Sequence, residues 1–361
     1  MLTSAEMAAA VKEHGSKAAA ARALGIPRET LRDRLRETEY TLPDGQAVKA
    51  ESVLLDAEGR VKARWVKTKE ASGAGLVDGL KAAFAAYTGA APMIAAPVYT
   101  DDDLLTVYPL PDLHWGLYAW HQDAGADWDT TIAEKTILAM IGDLVAQSRP
   151  SKRAIVLGLG DYFHCNDRTN ATPGSKHALD SDGRWPKVFA AGARLATKII
   201  DMVARRHDQV EAVFLAGNHD PDSAVCLTVA LDLFYSANPR ITVHSGAGLY
   251  WYHRHGQVLL AATHGHTVSP DRLVMAMATD RAEDWGQTQF RQAFMGHIHH
   301  ERAKEVGPVR VEYFGTPIPR DAWAQGAGFR SGRSMSALTF HAGRGEIGRH
   351  RVNIGPGSAA A

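Results

Sequence analysis

The stretch VEAVFLAGNHD, residues 210–220, ends an apolar run at a glycine, and an amide, an imidazole and a carboxylate come directly after it. Apolar runs of this length that stop at Gly are typical of buried strands whose carboxyl ends lead into a loop. Asn and Asp after Gly are also common in plain turns. Whether Asn218, His219 and Asp220 form a site or only a turn therefore depends on the residues at the ends of the other strands.

Other apolar runs, separated by helical or loop segments, predict an α/β domain. Four of them are also followed by Asp or His, in the stretches PDLH (111–114), GDYFH (160–164), THGH (263–266) and GHIHH (296–300). Loops at the carboxyl ends of strands converge in α/β sheets, and ligands bind there. The five clusters are therefore expected to form one site. The other runs are LLTVYPL (104–110), RAIVLGLG (153–160), VLLAATHG (258–265), FRQAFMG (290–296), VRVEYFG (309–315) and SMSALTF (334–340).

The side chains of these clusters suit divalent metal ions. Two carboxylates, one amide and several imidazoles offer the oxygen and nitrogen ligands that Mn, Fe or Zn accept, without a thiolate. With Asp112 and Asp161 as the anionic ligands, two divalent ions would leave about two excess positive charges, or about one after a bridging hydroxide binds. The sequence thus predicts a two-metal site that attracts phosphate.

The ordered series D-x-H, G-D, G-N-H-D, H-G-H and G-H-x-H resembles the calcineurin-like metallophosphoesterase superfamily over residues 104–316. The resemblance implies a β-sandwich flanked by helices and a metal-dependent phosphoesterase activity. It also implies in-line attack on phosphorus by a hydroxide held between two ions about 3.5–4 Å apart. The expected metal is Mn, with Fe, Zn, Ni or Co as alternatives.

The resemblance also assigns roles to individual residues. Asp161 would bridge the two metals, His219 would donate a proton to the leaving oxygen or stabilise its charge, and Asp220 would fix the turn. An alternative for Asp220 is to orient a ligand histidine. The ligands of one metal would be Asp112, His114, Asp161 and His299, and those of the other Asp161, Asn218, His264 and His297.

The second motif, GDYFH, is similar to that of the double-strand-break repair nucleases of this superfamily. By that resemblance His164 would lie beside the active site and contact the catalytic histidine or nucleic acid, although it could instead complete the turn. His266 and His300 lie next to ligand positions and could support them. Cys165 is expected to be a packed thiol, with a soft ligand as the alternative. Candidate phosphate contacts in the next loop, or else plain solvated groups, are Arg168, Lys176, His177 and Arg184.

The N-terminal stretch GSKAAAARALGIPRETLRDRLRE (15–37) resembles the helix-turn-helix of the Fis-type DNA-binding family. A small Ala21 and the turn at Gly25 would let two helices pack closely. Asp33 and Glu29 reduce the positive charge, so weak, dimer-dependent or partner-dependent DNA binding is expected, with a helical assembly module as the alternative. The residues expected to face DNA are Arg28, Thr30, Arg32, Arg34 and Arg36.

Composition sets the remaining expectations. The 40 basic residues balance the 40 acidic ones, so any attraction to nucleic acid must be local. Two distant cysteines and no signal-peptide or membrane-spanning pattern predict a cytoplasmic protein without a membrane partner. The expected domains are a helix-turn-helix module (1–38), a hairpin and linker region (39–103), the phosphoesterase domain (104–352) and a flexible tail (353–361).

Together these observations predict a dinuclear metal-dependent phosphodiesterase, a DNA-directed nuclease that its helix-turn-helix brings to DNA, and a homodimer because two-fold DNA sites reward one. Two alternatives remain open. One is an enzyme for small phosphodiesters or cyclic nucleotides whose N-terminal module serves assembly. The other is a DNA-binding regulator with a non-catalytic metal site.

Overall fold

The computed structural model of the chain describes residues 4–28, 30–31, 46–56, 61–70, 89–328 and 330–355. The chain divides into two compact units, residues 1–87 and 88–361. A helix expected at GLVDGLKAAFAAYTG (75–89) lies outside the described residues except for its last glycine. None of the helices in the described ranges is long and apolar enough to cross a membrane.

The N-terminal unit begins with two short helices, α1 (Ser4–His14) and α2 (Lys17–Ala23). The Ser16 side chain accepts a hydrogen bond from the Ala19 N–H and so caps α2. Gly25 comes next with a φ of 65°, a left-handed conformation that glycine adopts without strain. Ala21 is buried beside Leu31, so the close approach expected from the small residue is present.

Two antiparallel strands complete the same unit, β1 (Gln46–Leu55) and β2 (Val61–Glu70). They confirm the hairpin predicted within residues 39–103. The Trp65 side chain is 55% exposed, so this aromatic residue does not belong to a core.

The larger unit contains a six-stranded sheet in the order β13-β12-β3-β4-β5-β6. Four strands are parallel to one another: β3 (Asp101–Leu110), β4 (Ser151–Gly158), β5 (Gln209–Phe214) and β6 (Ile241–His244). The antiparallel strand β12 (Arg333–His341) joins β3, and β13 (Gly345–Ile354) forms the edge.

A second sheet has five strands in the order β10-β11-β9-β8-β7. Its parallel strands are β8 (Val258–Thr263), β9 (Phe290–Met295) and β11 (Val309–Tyr313). The antiparallel edge strands are β7 (Trp251–His255) and β10 (Arg302–Val306).

The two sheets pack face to face, and helices cover their outer faces. In β3, Leu105 and Val107 belong to the core between the sheets, whereas Tyr108 and Leu110 pack among the helices. Each fully buried leucine contributes roughly 2 kcal/mol relative to exposure. The helices are α3 (His121–Ala124), α4 (Thr130–Gln147), α5 (Trp185–Ala204), α6 (Pro221–Tyr235), α7 (Pro270–Asp280), α8 (Ala282–Gly286) and α9 (Ala322–Gly326).

This architecture confirms the predicted fold class, a β-sandwich flanked by helices, and every apolar run named above is a strand. The pattern missed β6, β7, β10 and β13. All four are edge strands, so one long side of each lacks a hydrogen-bonded neighbour. Strand β13 reads GEIGRHRVNI and alternates intermediate and exposed residues, because its side chains are only partly covered. Edge strands of this composition carry little of the apolar signal by which strands are recognised.

Candidate metal centre

Five loops meet at the carboxyl ends of β3, β4, β5, β8 and β9. Because these strands are parallel within their sheets, the loops at their ends lie at one edge of the sandwich. The structure brings together the side chains that the motifs singled out. Two groups of three lie within 4.8 Å of one another: Asp112, His114 and His299, and Asp161, His264 and His297.

The first group joins the loops after β3 and β9. The Nε2 atoms of His114 and His299 are 3.0 Å apart, and His299 Nε2 is 3.5 Å from Asp112 Oδ1. Asp112 is fully buried and His114 almost so. Two imidazole nitrogens and a carboxylate oxygen thus converge on a single point.

The second group joins the loops after β4, β8 and β9, and Asn218 from the loop after β5 lies beside it. His264 Nε2 lies 3.2 Å from Asp161 Oδ2 and 3.1 Å from Asn218 Oδ1. Asp161 Oδ2 is also 3.8 Å from His114 Nε2 of the first group. One carboxylate oxygen therefore lies between the two groups, within reach of both.

The backbone at these positions is strained. Asp112, His114, Asp161, His297 and His299 have φ between 40° and 73°. Among the described non-glycine residues only Asn170 and Lys176 share this sign of φ. The left-handed conformation costs about 1–3 kcal/mol for such residues and persists where the surrounding structure demands it. It is concentrated here because the turns must aim successive side chains into one space.

The glycines of the motifs leave room for the ligands. A Cβ at position 217 would lie 2.0 Å from Asp161 Oδ1, and a Cβ at position 296 would lie 2.7 Å from Asp112 Oδ2. Both distances are impossible for real atoms, so no other residue fits without moving a carboxylate. The glycine before Asn218 is thus required by close packing.

Hydrogen bonds hold the ligand loops in place. Buried Asp220 accepts from the N–H groups of Asp161, Phe163 and Gly217. It therefore fixes its own turn, as expected, and also ties that turn to the loop after β4. No hydrogen bond of Asp220 to a histidine is present among the described residues, so the alternative of orienting a ligand ring has no support.

The ligands themselves are also oriented by backbone groups. His264 Nδ1 lies 2.8 Å from the Leu159 carbonyl oxygen, which can only accept, so Nδ1 carries a proton and Nε2 is the ring nitrogen that faces Asp161 and Asn218. The His297 N–H donates to both carboxylate oxygens of Asp112. Thr316 was not singled out from the sequence, yet its hydroxyl donates to the Asp112 carbonyl at 2.7 Å.

His219 and His164 lie beside the first group and form a third histidine cluster with His114. His219 Nδ1 lies 2.9 Å from the His164 carbonyl oxygen, and the two rings stack with centroids 5.5 Å apart. His164 Nδ1 is 3.3 Å from His114 Nδ1. His164 therefore contacts both His219 and a ligand, and its buried Nε2 has no partner among the described residues.

The electrostatics of the centre depend on Asp161. Burial alone would raise the pKa of its carboxyl group, but the imidazoles of His264 and His114 hold that pKa well below its usual range. Burial alone would lower the pKa of His264, but Asp161 raises it. Burial and the neighbouring His219 lower the pKa of His114. An ionised carboxylate between imidazole nitrogens is a site where positive charge is favoured.

The donor set fits divalent transition-metal ions. It consists of imidazole nitrogens, carboxylate oxygens and one amide oxygen, which are the ligand types that Mn, Fe and Zn accept. His264 has its ring orientation set by a carbonyl, as metal-binding histidines usually do. The close approach of lone-pair atoms within each group also matches ligands gathered around a cation.

The remaining predicted residues lie around this centre. His266 packs beside His264, with ring centroids 5.2 Å apart, and its Nδ1 is buried without a partner among the described residues. His300 is exposed. Cys165 is buried with its Sγ 2.8 Å from Ser181 Oγ, as expected of a packed thiol. Exposed in the loop after β4 and at the start of α5 are Arg168, Lys176, His177 and Arg184.

In the N-terminal unit, the side chains of Arg28 and Thr30 are exposed, as a DNA-facing role requires. The other three residues expected to face DNA, Arg32, Arg34 and Arg36, lie outside the described residues.

Solved structures similar to this chain include three from diverse sources. One is a conserved uncharacterized protein, a predicted phosphoesterase, from Streptococcus pneumoniae (11% identity, 70% of this chain and 98% of that chain, TM-score 0.29). Another is Vps29 complexed with zinc from Entamoeba histolytica (12% identity, 69% of this chain and 98% of that chain, TM-score 0.29). A third is an archaeal phosphodiesterase (11% identity, 69% of this chain and 99% of that chain, TM-score 0.34). Because these TM-scores are low, the similarities do not support a fold assignment. The fold follows instead from the strand pairing described above.

No curated protein sequence matches the chain. A family model described as "Bacterial regulatory protein, Fis family" matches residues 6–37. This match confirms the Fis-type helix-turn-helix that the sequence predicted at the N-terminus.

Proposed function

We propose that the chain is a divalent-metal-dependent phosphodiesterase. The observation that carries the proposal is the convergence of two ligand groups on a shared carboxylate, Asp161, at the carboxyl edge of the sheets. Two divalent ions, with Mn as the first expectation, would polarise the phosphate and lower the pKa of water when bound. Asp112, His114, Asp161 and His299 would hold one ion, and Asp161, Asn218, His264 and His297 the other.

His219 is proposed to act on the leaving oxygen. Its Nδ1 faces a carbonyl oxygen that can only accept a hydrogen bond, so Nδ1 carries a proton and Nε2 is the atom left for substrate. When protonated, Nε2 donates a proton to the leaving oxygen or stabilises its charge. The stacked His164 ring holds His219 in this orientation.

Nucleic acid is the proposed substrate class. The Fis-family match and the exposed Arg28 and Thr30 support delivery to DNA by the N-terminal module. Basic residues in the loop after β4 are candidates for further phosphate contacts. A homodimer in the cytoplasm would suit a two-fold DNA site.

The test compares wild type, His219→Ala and His350→Ala under identical conditions with Mn. His350 lies on the edge strand β13, outside both ligand groups, and serves as the matched control. Substrates are end-labelled single- and double-stranded DNA and bis(p-nitrophenyl) phosphate. Cleavage of DNA and ester by wild type and the control, lost together in His219→Ala, is expected.

Other outcomes discriminate among the alternatives. Ester turnover without DNA cleavage would contradict the nuclease and leave a small phosphodiester as substrate. No turnover of either compound, with no metal bound, would overturn the phosphodiesterase proposal and leave a DNA-binding regulator. In the full chain, Arg28→Glu should weaken binding to duplex DNA while ester turnover stays unchanged. Unchanged DNA binding would contradict delivery by the helix-turn-helix.

A further inference from the structure

Two arginines near the candidate metal centre have no acidic partner among the described residues. In the described ranges, no carboxylate oxygen lies within 4.0 Å of the Arg320 or Arg333 guanidinium nitrogens. Arg320 Nε and Arg333 Nη2 are buried and make no hydrogen bond there. Burial lowers the pKa of Arg333 to about 10. A buried guanidinium nitrogen normally donates a hydrogen bond, so two partly buried arginines that each have one unused buried donor suit an anionic ligand.

Both arginines lie against the same short segment. The Arg333 guanidinium carbon is 4.7 Å from the centre of the Trp128 ring, a cation–π contact. The Arg320 Nη2 atom is 3.7 Å from the position that a Cβ at Gly125 would occupy. Gly125 and Trp128 are close in the chain, and the segment between them spans at most about 10 Å. The two guanidinium groups can therefore serve one ligand.

The segment lies at the same edge of the sandwich as the metal centre. Strand β12 runs antiparallel to β3, with Leu338 opposite Val107, so the start of β12, at Arg333, lies toward the carboxyl end of β3. Arg333 Nε donates to the Pro317 carbonyl at 2.8 Å. The neighbouring Thr316 hydroxyl donates to the Asp112 carbonyl at 2.7 Å. Two adjacent residues thus link Arg333 to a metal-ligand loop.

Exposed aromatic side chains occur on the same stretch of chain. Tyr118 and Trp120 are each 45% exposed, and Ala119 between them pairs with Trp128 through two backbone hydrogen bonds of 2.9 Å. Exposed aromatic rings next to positive charge are features of surfaces that bind single-stranded nucleic acid, where bases stack and phosphates are neutralised. The region therefore suits a nucleotide as its ligand. A base would stack on the aromatic rings, and the phosphate would contact the arginines.

We propose that Arg320 and Arg333, supported by Trp128, form a second phosphate subsite that binds a non-scissile phosphate of the substrate. This role in turnover rests on the proposed phosphodiesterase function. Successive charges along a nucleic-acid strand are only a few ångströms apart along the axis, so one substrate can reach both places. A substrate with two or more phosphates would then bind more tightly than one with a single phosphate.

A binding experiment tests the subsite without catalysis. Full-length protein freed of metal by chelation is titrated calorimetrically with inorganic phosphate, as wild type, Arg320→Gln and Arg344→Gln. The Arg320 guanidinium forms no ion pair with the described residues, so its variant should keep the wild-type melting temperature. Exposed Arg344, in the turn between β12 and β13, is the matched control. We expect one phosphate per chain in wild type and the control, and at least fivefold weaker binding in Arg320→Gln.

Equal phosphate affinity in all three proteins, or no phosphate binding by wild type, would contradict the proposed subsite. Turnover then tests its use, with a dinucleotide that carries a terminal phosphate compared with the same dinucleotide without it. Arg320→Gln should raise KM severalfold for the phosphorylated compound only, with kcat unchanged. An equal rise for both compounds would contradict the proposed role. If wild type cleaves neither compound nor bis(p-nitrophenyl) phosphate, the proposed function fails, while the titration still decides the subsite.

Discussion

Buried polar groups at the two ends of the parallel strands differ in their hydrogen-bond partners and in their backbone conformation. At the amino end, His207 is fully buried with Nε2 2.7 Å from the Tyr108 hydroxyl and Nδ1 2.7 Å from Ser151 Oγ. Arg240 donates to four backbone carbonyls there, those of Ile94, Ala204, His207 and Asp208. At the carboxyl end, imidazole nitrogens face one another and five ligand residues have positive φ.

The difference separates groups that stabilise the fold from groups that are arranged for a ligand. Fully hydrogen-bonded polar groups in a dry interior make the structure rigid and specific. Imidazole nitrogens and carboxylate oxygens that converge on one space, on strained backbone, form an arrangement that costs stability and that a bound cation would favour. We therefore expect substitutions at the carboxyl end to change activity strongly and stability little, and the reverse at the amino end.

The largest effect is expected for Asp161→Asn. The change keeps the shape of the side chain but removes the charge shared by both ligand groups, so turnover of bis(p-nitrophenyl) phosphate should fall at least about 1000-fold. Metal content, measured by inductively coupled plasma spectrometry, should fall with it. If the variant retained its metal and its activity, the charge of Asp161 would not be the one that both ligand groups share.

His219→Ala should lower kcat by about 10²–10⁴-fold, the range for loss of a positioned proton donor. Metal content should match wild type, because His219 belongs to neither ligand group. The measurement is steady-state turnover of esters whose leaving groups differ in pKa. The loss should be largest for the poorest leaving group, and a uniform loss would contradict proton donation.

At the other end of the strands, His207 should make stability depend on pH. Burial lowers the pKa of His207 to about 4, below its value of about 6.5 in the unfolded chain. The unfolded state therefore binds more protons between these values. The contribution of neutral His207 is complete above about pH 6.5 and is lost as the pH falls toward 4, by about 3 kcal/mol in all.

Urea unfolding of metal-free wild type and His207→Gln at several pH values measures this contribution. The difference in unfolding free energy between the two proteins should shrink as the pH falls from 7 to 4. Ester turnover at pH 7 should be unchanged in the variant. A difference that does not vary with pH would show that His207 does not titrate as a buried group.

The smallest effect concerns the strained backbone. His297 is exposed and has a φ of 73°. His297→Gly and His297→Ala remove the same ligand, but only glycine relieves the strain, so the Gly variant should be more stable than the Ala variant by about 1 kcal/mol without metal. Thermal unfolding of both variants tests this, and equal melting temperatures would mean that the conformation stores no strain.

The sequence predicted the sandwich because its strands are buried on one or both faces and read as apolar runs. It also pointed to the candidate metal centre, since each candidate ligand lies in a loop just after a strand, and loops at the carboxyl ends of neighbouring parallel strands lie at one edge of a sheet. The proximity of Asp112 to His299 also depends on the packing of the two sheets, because these residues follow strands of different sheets. The roles of individual site residues stay predictions until the variants are measured.

Other features left no readable signal. Arg320 and Arg333 look like ordinary surface arginines in the sequence, because the absence of a carboxylate partner among the described residues is a property of three-dimensional packing. His207 likewise stands alone in the chain, and only the fold brings Tyr108 and Ser151 to its ring. Side chains whose partners come from different elements at irregular spacing cannot be recognised by periodicity.

His114 and His299, whose Nε2 atoms nearly touch, are separated by 185 positions along the chain. The first ligand group therefore cannot exist in any early folding fragment, because β3 and β9 belong to different sheets. Loops that long close slowly and late. Acquisition of metal by this group should accordingly be among the last events of folding, so that time-resolved metal uptake would report the docking of one sheet on the other.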